Sequence, residues 1–547
     1  MSDSLGRLVV DLAQQHGDRP AFGHLGQSIS YTEVEVLSRR VAAWFQNHTD
    51  LKPGDRIAIQ LPNCMQYPVA LFGALRAGLV VVNTNPLYTD DELRSQLQDS
   101  GARALLVYDP LSAPASRVLG GTSIDYVITT QIGDLHPGWR RWALNCYAHY
   151  RRRSRRRVRG SIPFSRVLMA ESGSHWRAPD PQELALLQYT GGTTGPAKGA
   201  MLTHESLMAN VEQLKQRLQD ARLSPEMKLL QPLPVYHIYA FMLTLLMYSQ
   251  GSYVELIPDP QDGKRLAKAF DRVRPSCFAG INPLFIALCR NADFNQLDFS
   301  SLQLTISGGM ALTESAARHW REVTGCAITE GYGLTECSPV VSVAKPGEEK
   351  TGSAGTPLAG TDVRIVDEAG ELLPSGETGE IQVRGPQLMK GYWNRQDGGE
   401  GQMLADGWLA TGDIGQLDDG GQIRIIDRRK DMIIVSGFKV YPSELENVIS
   451  AHPDILECAV IGLPDEECGE FIKLYVVSKN PRLTTRGVRE YCRERLTSYK
   501  VPRSVEFRHD LPRNSIGKVQ RRVLRQEALH ELGLDERSGS QQAARLG

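Results

Sequence analysis

Short apolar runs rich in β-branched residues alternate with amphipathic stretches along much of the chain, and this alternation constrains the fold more than any other feature. Runs of this kind occupy residues 55–62 and 78–85. The pattern resumes at Leu184 and continues through the runs at residues 253–257 and 302–306. Strands followed by helices at this spacing predict an α/β fold with mainly parallel, doubly wound sheets.

The later part of the chain has a different pattern. From about Gly355, short strand-like runs separated by glycine-rich turns predict a distorted β-barrel within the same large domain. Strand-like runs flank the charged cluster at residues 427–431, and a helix should start at Pro442. Since 547 residues exceed what one hydrophobic core usually organises, we expect more than one domain. We predict a large N-terminal domain at residues 1–427, a hinge at 428–430, a small mobile α+β domain at 431–532 and a disordered tail at 533–547.

The charge balance and the cysteines exclude several classes of protein. Lysine and arginine total 62 against 63 acidic residues, so the chain as a whole is not attracted to nucleic acid or to a membrane. The nine cysteines include no CxxC pair, which argues against a zinc ribbon and a disulfide framework. The apolar stretch at residues 238–247 is too short to span a bilayer and predicts a buried helix. With no secretory signal in view, we expect a cytoplasmic protein.

The strongest local signal is the string LQYTGGTTGPAKG at residues 187–199, where an apolar run leads into a glycine and threonine loop and then Lys198. Glycines let the backbone wrap a phosphate, threonine hydroxyls add donors, and the lysine supplies positive charge. The loop is not a Walker A motif, because two residues separate Gly195 from Lys198. It predicts a site for ATP phosphates; taken alone, a flexible glycine-rich turn is the alternative.

The string YTGGTTGPAKG resembles the phosphate loop of the adenylate-forming (AMP-binding) superfamily, and five further blocks follow in that family's order. They are SGG at residues 307–309, YGLTE at 332–336, TGD at 411–413, DRRKD at 427–431 and NSIGK at 514–518. The similarity runs from about Arg19 to Arg525 and is especially marked to bacterial long-chain fatty acyl-CoA ligases of the fatty-acid degradation type. The resemblance implies a ligase that uses ATP, Mg²⁺ and CoA and proceeds through an acyl-adenylate.

The resemblance also implies roles for individual residues. The residues expected around the phosphates are Tyr189, Thr190, Gly191, Gly192, Thr193, Thr194, Gly195 and Lys198. Those expected around the adenine are Ser307, Gly308, Gly309, Tyr332, Gly333 and Thr335. Glu336, with Thr190, would hold Mg²⁺, a hard cation that prefers oxygen ligands beside phosphates. Asp413 and Arg428 would bind the ribose, Lys430 would lie at the hinge, and Lys518 would enter the site for adenylation.

Other residues are expected near the acyl chain and CoA. By resemblance, Ser436, Gly437 and Phe438 would border the pantetheine tunnel after the small domain turns. His237 would lie on the acyl side and join Thr193, Lys198, Glu336 and Lys518 in the catalytic set, although a structural histidine is equally compatible with its position. An apolar acyl pocket is expected at Gly280, Asn282, Leu284 and Phe285. For Leu284 and Phe285, an ordinary core helix is the stronger alternative.

Several functions stay open at this level. A medium-chain or other carboxylic acid is the alternative to a long-chain fatty acid as substrate. Transfer of the acyl group to a carrier protein is the alternative to transfer to CoA. No carrier domain is evident after Lys518, which ranks that route lower. Outside the enzymes, an acyl or nucleotide sensor is the alternative, and the intact set of site residues argues against it. A homodimer is also left open.

One segment concentrates positive charge. Residues 140–159 hold nine arginines and no acidic residue, so the rest of the chain has 53 basic against 63 acidic residues. Just before most of these arginines, Trp139, Trp142, Ala143, Cys146, Tyr147 and Tyr150 recur at helical spacing. An aromatic helix face beside a basic cluster predicts peripheral contact of residues 139–159 with an anionic membrane. A solvated loop is the alternative, and nucleic-acid binding is a distant third.

Overall fold

The structure is a computed structural model that describes residues 4–150, 158–171, 178–190, 197–221, 223–259, 262–395, 402–514 and 517–534. It divides into two compact units. One comprises Met1–Val363 with Val383–Leu409, and the other comprises Arg364–Gln382 with Ala410–Gly547. The predicted domain boundaries, which fall at residues 427 and 430, stay a prediction, and the predicted tail from residue 535 onward lies outside the described residues.

The α-helices of the described residues are numbered in chain order. They are α1 (Leu5–His16), α2 (Tyr31–His48), α3 (Gln66–Arg76), α4 (Asp90–Ser100), α5 (Ala113–Val118), α6 (Gly138–Tyr150), α7 (Phe164–Val167), α8 (His204–Arg217), α9 (Ile238–Ser249), α10 (Gly263–Val273), α11 (Asn282–Cys289), α12 (Glu314–Thr324), α13 (Pro442–Ser450), α14 (Thr485–Arg493) and α15 (Arg521–Glu531).

The strands are numbered in the same way. They are β1 (Pro20–His24), β2 (Gln27–Ser30), β3 (Arg56–Gln60), β4 (Val80–Asn83), β5 (Ala104–Tyr108), β6 (Tyr126–Thr130), β7 (Ile162–Pro163), β8 (Leu184–Thr190), β9 (Lys198–Thr203), β10 (Lys228–Gln231), β11 (Tyr253–Leu256), β12 (Cys277–Gly280), β13 (Leu304–Ser307), β14 (Ile328–Gly333), β15 (Val340–Val343), β16 (Thr356–Pro357), β17 (Asp362–Val366), β18 (Gly379–Arg384), β19 (Gln402–Met403), β20 (Leu409–Leu417), β21 (Ile423–Arg428), β22 (Ile433–Val435), β23 (Phe438–Val440), β24 (Ile455–Asp465), β25 (Gly469–Ser478) and β26 (Ser504–Phe507).

The first unit is built on two large sheets. One has the order β16-β15-β14-β13-β12-β10-β11-β1-β2 and the other the order β7-β6-β5-β3-β4-β8-β9. Their central neighbours pair in parallel, with helices between successive strands. This arrangement confirms the predicted doubly wound α/β fold. The carboxyl ends of β13 and β14 meet at the same edge, because Ser307 pairs with Glu330.

The predicted buried helix is α9, in which all but two of twelve residues are buried. The helix predicted from the spacing of aromatic residues is α6. Among the described residues, no helix is both long enough and apolar enough to cross a membrane.

An aromatic core stabilises one face of the nine-stranded sheet. Trp320 of α12 is fully buried, and its ring contacts Phe285 of α11 and Phe294 and stacks on Phe278 of β12 at 5.4 Å between centroids. The indole nitrogen donates a hydrogen bond to Thr305 Oγ1 of β13 at 3.2 Å, so the polar edge of the ring is also satisfied. The helix is thereby fixed against the strand that leads into the predicted adenine loop.

The second unit contains a sheet with the order β23-β22-β25-β24, to which β26 adds in parallel beside β25. Helix α13 begins with Pro442 at its first turn, as predicted, and packs Leu445 and Ile449 into the core of this sheet. Arg521 of α15 pairs with Asp427 and Asp431 at 3.1 Å each and with Glu446 at 2.6 Å. Those two aspartates flank the predicted hinge, so Arg521 fixes both ends of that segment.

We predict that Trp320→Ala lowers the free energy of unfolding by about 3–5 kcal/mol, because it opens a cavity in the aromatic core. Trp320→Phe keeps most of the ring and loses the bond to Thr305, so it should cost about 1 kcal/mol of hydrogen bonding plus a smaller cavity. Urea unfolding followed by circular dichroism measures both variants. Equal stability of Trp320→Ala and wild type would contradict this description of the core.

Candidate active site

Strands β8 and β9, which precede and follow the predicted phosphate loop in the chain, pair as an antiparallel hairpin. Strands β8 and β9 pair antiparallel up to Thr190 and Lys198, which lie opposite each other, and Thr190 Oγ1 donates to the Lys198 carbonyl at 3.4 Å. The loop residues Gly191, Gly192, Thr193, Thr194 and Gly195 lie outside the described residues. Lys198 is therefore the first residue of β9 and lies at the base of the hairpin, directly after the loop in the chain.

Tyr189 fixes the hairpin from behind. Its hydroxyl donates to Asp99 Oδ2 at 2.6 Å, and a side chain at Gly199 would lie only 3.1 Å from its ring. Burial, with the neighbouring Asp99 carboxylate, raises the pKa of Tyr189 and keeps the phenol protonated. The structure thus places the Tyr189 side chain against the end of α4.

A short segment of the chain, residues 389–393, lies along β9. Main-chain hydrogen bonds join Met201 N to the Gly391 carbonyl at 2.9 Å and Trp393 N to the Gly199 carbonyl at 2.8 Å. Ala200 and Tyr392 form an antiparallel bridge. At its other end the segment reaches the YGLTE block, since Met389 N donates to the Glu336 carbonyl at 2.8 Å. The 389–393 segment therefore connects Glu336 with the base of the phosphate hairpin.

Glu336 is buried, and Tyr392 contacts it directly. The Tyr392 hydroxyl donates to Glu336 Oε1 at 2.5 Å, and the Lys198 ammonium nitrogen lies 4.9 Å from the centroid of the same tyrosine ring. The described residues contain no group of three or more histidines, cysteines or acidic residues that could hold a metal ion. A single buried carboxylate fits Mg²⁺, which keeps waters and phosphate oxygens as its other ligands.

The predicted adenine residues meet at the carboxyl ends of β13 and β14. Ser307 is buried, and its hydroxyl has no hydrogen-bond partner among the described residues. A side chain at Gly308 would lie 3.3 Å from the Tyr239 ring, and one at Gly333 would lie 2.2 Å from the Pro339 carbonyl oxygen. Gly309 has a positive φ of 79°. Tyr332 is buried at the end of β14, and Thr335 begins the short turn that contains Glu336.

Asp413 and Arg428, both in the second unit, form a close ion pair. They lie directly opposite each other on β20 and β21, and Arg428 Nε is 2.6 Å from Asp413 Oδ1. Lys430 lies in the one-turn helix Arg429–Asp431 that follows. The Lys518 amide nitrogen donates to Asn514 Oδ1 at 2.9 Å. Burial, with the nearby Arg428 guanidinium, lowers the pKa of the Lys518 ammonium group, and the Asp413 carboxylate acts in the opposite direction. The predicted ribose pair and the predicted adenylation lysine thus share one region of this unit.

The predicted CoA residues form the turn between β22 and β23. Ser436 and Gly437 have positive φ values of 49° and 82°. Phe438 is 55% exposed, and its ring stacks on Tyr499 at 4.7 Å between centroids. The Phe438 ring therefore lies on the surface of the second unit, beside a left-handed glycine turn, and not in the core of that unit.

His237 caps helix α9. Its Nδ1 accepts a hydrogen bond from Tyr239 N at 3.4 Å, which leaves the proton of the neutral ring on Nε2. Burial lowers the pKa of His237 to about 4, so the ring is uncharged at neutral pH. The structure therefore gives His237 a capping contact.

The residues predicted for the acyl pocket separate into two groups. Phe285 is fully buried in the aromatic core, 4.9 Å from the Trp320 ring centroid, and Leu284 packs against that core. Gly280 faces Phe285, whose ring would lie 2.6 Å from an added Cβ. Asn282 Oδ1 accepts hydrogen bonds from Thr313 N at 3.0 Å and Thr313 Oγ1 at 3.1 Å, and so holds the end of the predicted adenine loop.

The sequence patterns did not predict three residues that the structure brings close to the predicted metal, phosphate and adenine residues. Tyr392 joins Glu336 to Lys198, as described above. Tyr239 donates to the Ile306 carbonyl at 3.1 Å, directly before Ser307. Glu330 Oε1 accepts from Gly352 N at 3.1 Å, and its carboxyl also interacts with the backbone of Leu312. Nothing in the local sequence pattern marks any of these side chains.

The doubly wound sheets, the β8–β9 hairpin joined to the buried Glu336 through residues 389–393, and a second unit that carries an Asp–Arg pair together define the class of protein. The AMP-binding enzyme family matches residues 10–393, and the AMP-binding enzyme C-terminal domain matches residues 444–518. The chain belongs to the AMP-binding enzyme family.

Particular relatives extend over nearly the whole chain. The long-chain-fatty-acid–CoA ligase of Salmonella typhimurium is 43% identical over 531 residues, which cover 96% of this chain and 94% of that protein. The long-chain-fatty-acid–CoA ligase of Escherichia coli is 42% identical over 530 residues, which cover 95% and 94%. Among solved structures, ATP-bound MatB from Rhodopseudomonas palustris superposes with a TM-score of 0.83 at 28% identity, over 97% of this chain and 100% of that one.

Glu330 makes a testable contribution to stability. Burial raises its pKa to about 7, above the ordinary value of 4.5, so the folded protein holds this proton more tightly than the unfolded chain. Stability should therefore fall as the pH rises between these two values. Glutamine has no such proton to lose. We therefore predict that, as the pH rises from 5 to 8, the free energy of unfolding of Glu330→Gln increases by about 1–3 kcal/mol relative to that of wild type. Urea unfolding at both pH values measures this difference, and a difference that stays constant would contradict it.

Proposed function

We propose that the protein is a long-chain fatty acid:CoA ligase that forms acyl-CoA through an acyl-AMP intermediate, releasing pyrophosphate and AMP. One observation carries this proposal: Glu336 and Lys198 lie on either side of Tyr392 at the base of the glycine and threonine hairpin. A buried carboxylate of the kind that holds Mg²⁺, close to a lysine that directly follows a sequence suited to phosphates, supports this proposal. The similarity to long-chain-fatty-acid–CoA ligases over nearly the whole chain supports the choice of acid.

In the first half-reaction, the fatty-acid carboxylate attacks the α-phosphate of ATP and pyrophosphate leaves. Two anions must approach each other, so the site has to neutralise phosphate charge and fix an in-line geometry. Lys198 supplies charge beside the loop of Gly191, Gly192, Thr193, Thr194 and Gly195, while Glu336, with Thr190, holds the metal. Mg²⁺, when bound with ATP, withdraws charge from the phosphate oxygens. Ser307, Gly308, Gly309 and Tyr332 border the adenine.

Asp413 and Arg428 hold the ribose. Asp413 is an acceptor for the ribose hydroxyls, and the 2.6 Å contact with Arg428 orients its carboxylate. Lys518 supplies the second positive charge for adenylation. In the second half-reaction the CoA thiol attacks the acyl carbonyl and AMP leaves. Ser436, Gly437 and Phe438 border the pantetheine arm, and Lys430 belongs to the hinge about which the small domain turns.

The experiment that tests this proposal measures AMP release with a series of short to long fatty acids, each with and without CoA. Our proposal expects the highest kcat/KM for long chains and sustained turnover that depends on CoA. A maximum at medium chains would favour the medium-chain alternative. Turnover that requires a carrier protein in place of CoA would favour acyl transfer to a carrier, and no AMP under any condition would favour a sensor.

We predict that Lys518→Ala slows acyl-adenylate formation by roughly 100- to 1000-fold, the cost of removing one preorganised charge contact. Thioester formation from supplied acyl-AMP should be spared, since the α-phosphate no longer needs that charge. Single-turnover assays of each half-reaction measure the two rates. Lys479→Ala, at an exposed lysine of the same unit, is the control and should change neither rate. Equal loss in both half-reactions would refute the role of Lys518.

We further propose that residues 139–159 make peripheral contact with an anionic membrane. Trp139 and Trp142 of α6 are 75% and 72% exposed, and Tyr150 is 88% exposed. Asn145 Oδ1 of the same helix accepts from Gly133 N at 2.8 Å, which fixes α6 to the preceding loop. Arg151, Arg152, Arg153, Arg155, Arg156 and Arg157 lie outside the described residues, and their charge suits anionic headgroups.

We predict that neutralising those six arginines weakens binding to anionic vesicles in a salt-sensitive manner, because each basic residue near such a surface contributes about 1 kcal/mol. Turnover of a soluble medium-chain acid should be unchanged. Trp139→Ala with Trp142→Ala should weaken the part of the binding that persists at high salt, since apolar insertion is not screened. Vesicle co-sedimentation measures both variants, with Leu372→Ala, at a residue 70% exposed in the other unit, as the control. If the parent and the arginine variant bind anionic vesicles equally at low salt, the membrane proposal is wrong and the segment is only a solvated loop.

A further inference from the structure

Tyr392 occupies a defined position between two charged side chains. Its backbone is fixed, because residues 389–393 are hydrogen-bonded along β9 on both sides of the tyrosine. Its hydroxyl donates to Glu336 Oε1 at 2.5 Å, and its ring faces the Lys198 ammonium nitrogen at 4.9 Å from the centroid. One rigidly held side chain therefore contacts both a buried carboxylate and the first cation after the phosphate loop.

The hydroxyl bond fixes the orientation of the Glu336 carboxylate. A buried carboxylate needs hydrogen-bond donors to offset the loss of water, and a donor at one oxygen restricts rotation of the whole group. Partners of this kind orient metal ligands, and their removal typically lowers metal affinity. The ring acts separately on Lys198, because an aromatic face attracts an ammonium group at this distance. The two effects come from different parts of the same side chain.

We propose that Tyr392 is a positioning residue that orients Glu336 for the metal–nucleotide complex and holds the Lys198 ammonium group against its ring. This inference rests on the proposed function, since it assigns to Glu336 the metal and to Lys198 the phosphates. It adds a residue that lies outside all six sequence blocks. The hydroxyl serves the metal, and the ring serves the lysine.

Two substitutions separate these roles. Tyr392→Phe removes only the hydroxyl and keeps the ring over Lys198, whereas Tyr392→Leu removes both. Trp393→Phe is the matched control, because Trp393 lies in the same segment but its indole nitrogen donates to the Asp99 carbonyl at 3.2 Å, away from Glu336. A merely structural role for the segment would make the variants of both residues fail alike.

The first readout is binding and does not require turnover. Titration of Mn²⁺ into protein with a non-hydrolysable ATP analogue, followed by electron paramagnetic resonance, gives the affinity of the metal in the nucleotide complex. Tyr392→Phe should weaken that affinity by roughly 10- to 100-fold, the usual effect of removing a ligand's hydrogen-bond partner. Binding of the analogue without metal should be unchanged in Tyr392→Phe and weakened in Tyr392→Leu. Trp393→Phe should leave both unchanged.

The second readout is the split between half-reactions. Tyr392→Phe should raise the Mg²⁺ concentration that gives half-maximal adenylation, and saturating Mg²⁺ should restore most of the rate. Conversion of supplied acyl-AMP to thioester should proceed at the wild-type rate. If Tyr392→Phe binds Mn²⁺ as wild type does, or if it loses metal-free nucleotide binding to the same extent, the positioning role is wrong. Failure of the parent to release AMP with any fatty acid would instead overturn the proposed function, and the Mn²⁺ titration would still decide the role of Tyr392.

Discussion

The pairing of residues 389–393 with β9 is the constraint on which the rest of the candidate site depends. A loop rich in glycine has little conformational preference of its own, so its ends must be held by regular structure. The β8–β9 hairpin supplies two antiparallel edges, and the 389–393 segment adds a third main chain beside β9. Glu336 is tied to the same segment through its carbonyl and its carboxylate. The Glu336 carboxylate and the Lys198 ammonium group, for which we propose a shared role at the phosphates, are thereby fixed to one rigid base.

The second unit follows the same principle with different elements. The antiparallel register of β20 and β21 puts Asp413 opposite Arg428, so the orientation of the carboxylate is determined by strand pairing. Arg521 binds Asp427 and Asp431 on either side of the one-turn helix that contains Lys430. Such a partly buried cluster of charges stabilises only while all its members are paired, and separation of one partner would be costly. The segment predicted as a hinge is thus held at both ends.

Much of the fold followed from local sequence patterns, whereas the contacts within the site did not. The alternation of strand-like and amphipathic runs predicted the parallel sheets, and the apolar run at residues 238–247 predicted a buried helix, which α9 confirms. The bond from Tyr392 to Glu336 joins residues 56 positions apart, and it depends on a sheet register that no local pattern specifies. The pKa of Glu330 likewise reflects burial by distant loops. The sequence of an apolar pair such as Leu284 and Phe285 is compatible with a core and with a ligand pocket. Only the packing in the structure shows that Phe285 lies in the core.

The central claim is that the acid is activated as an acyl-adenylate, and the fate of its carboxylate oxygens tests that claim most directly. A long-chain fatty acid labelled with ¹⁸O at both carboxylate oxygens is converted with ATP, Mg²⁺ and CoA, and the products are analysed by mass spectrometry. If the carboxylate attacks the α-phosphate, one labelled oxygen bridges carbon and phosphorus and leaves with AMP. We therefore expect AMP with a single ¹⁸O atom and acyl-CoA with the other. Label in pyrophosphate or in inorganic phosphate, or AMP without label, would contradict the account.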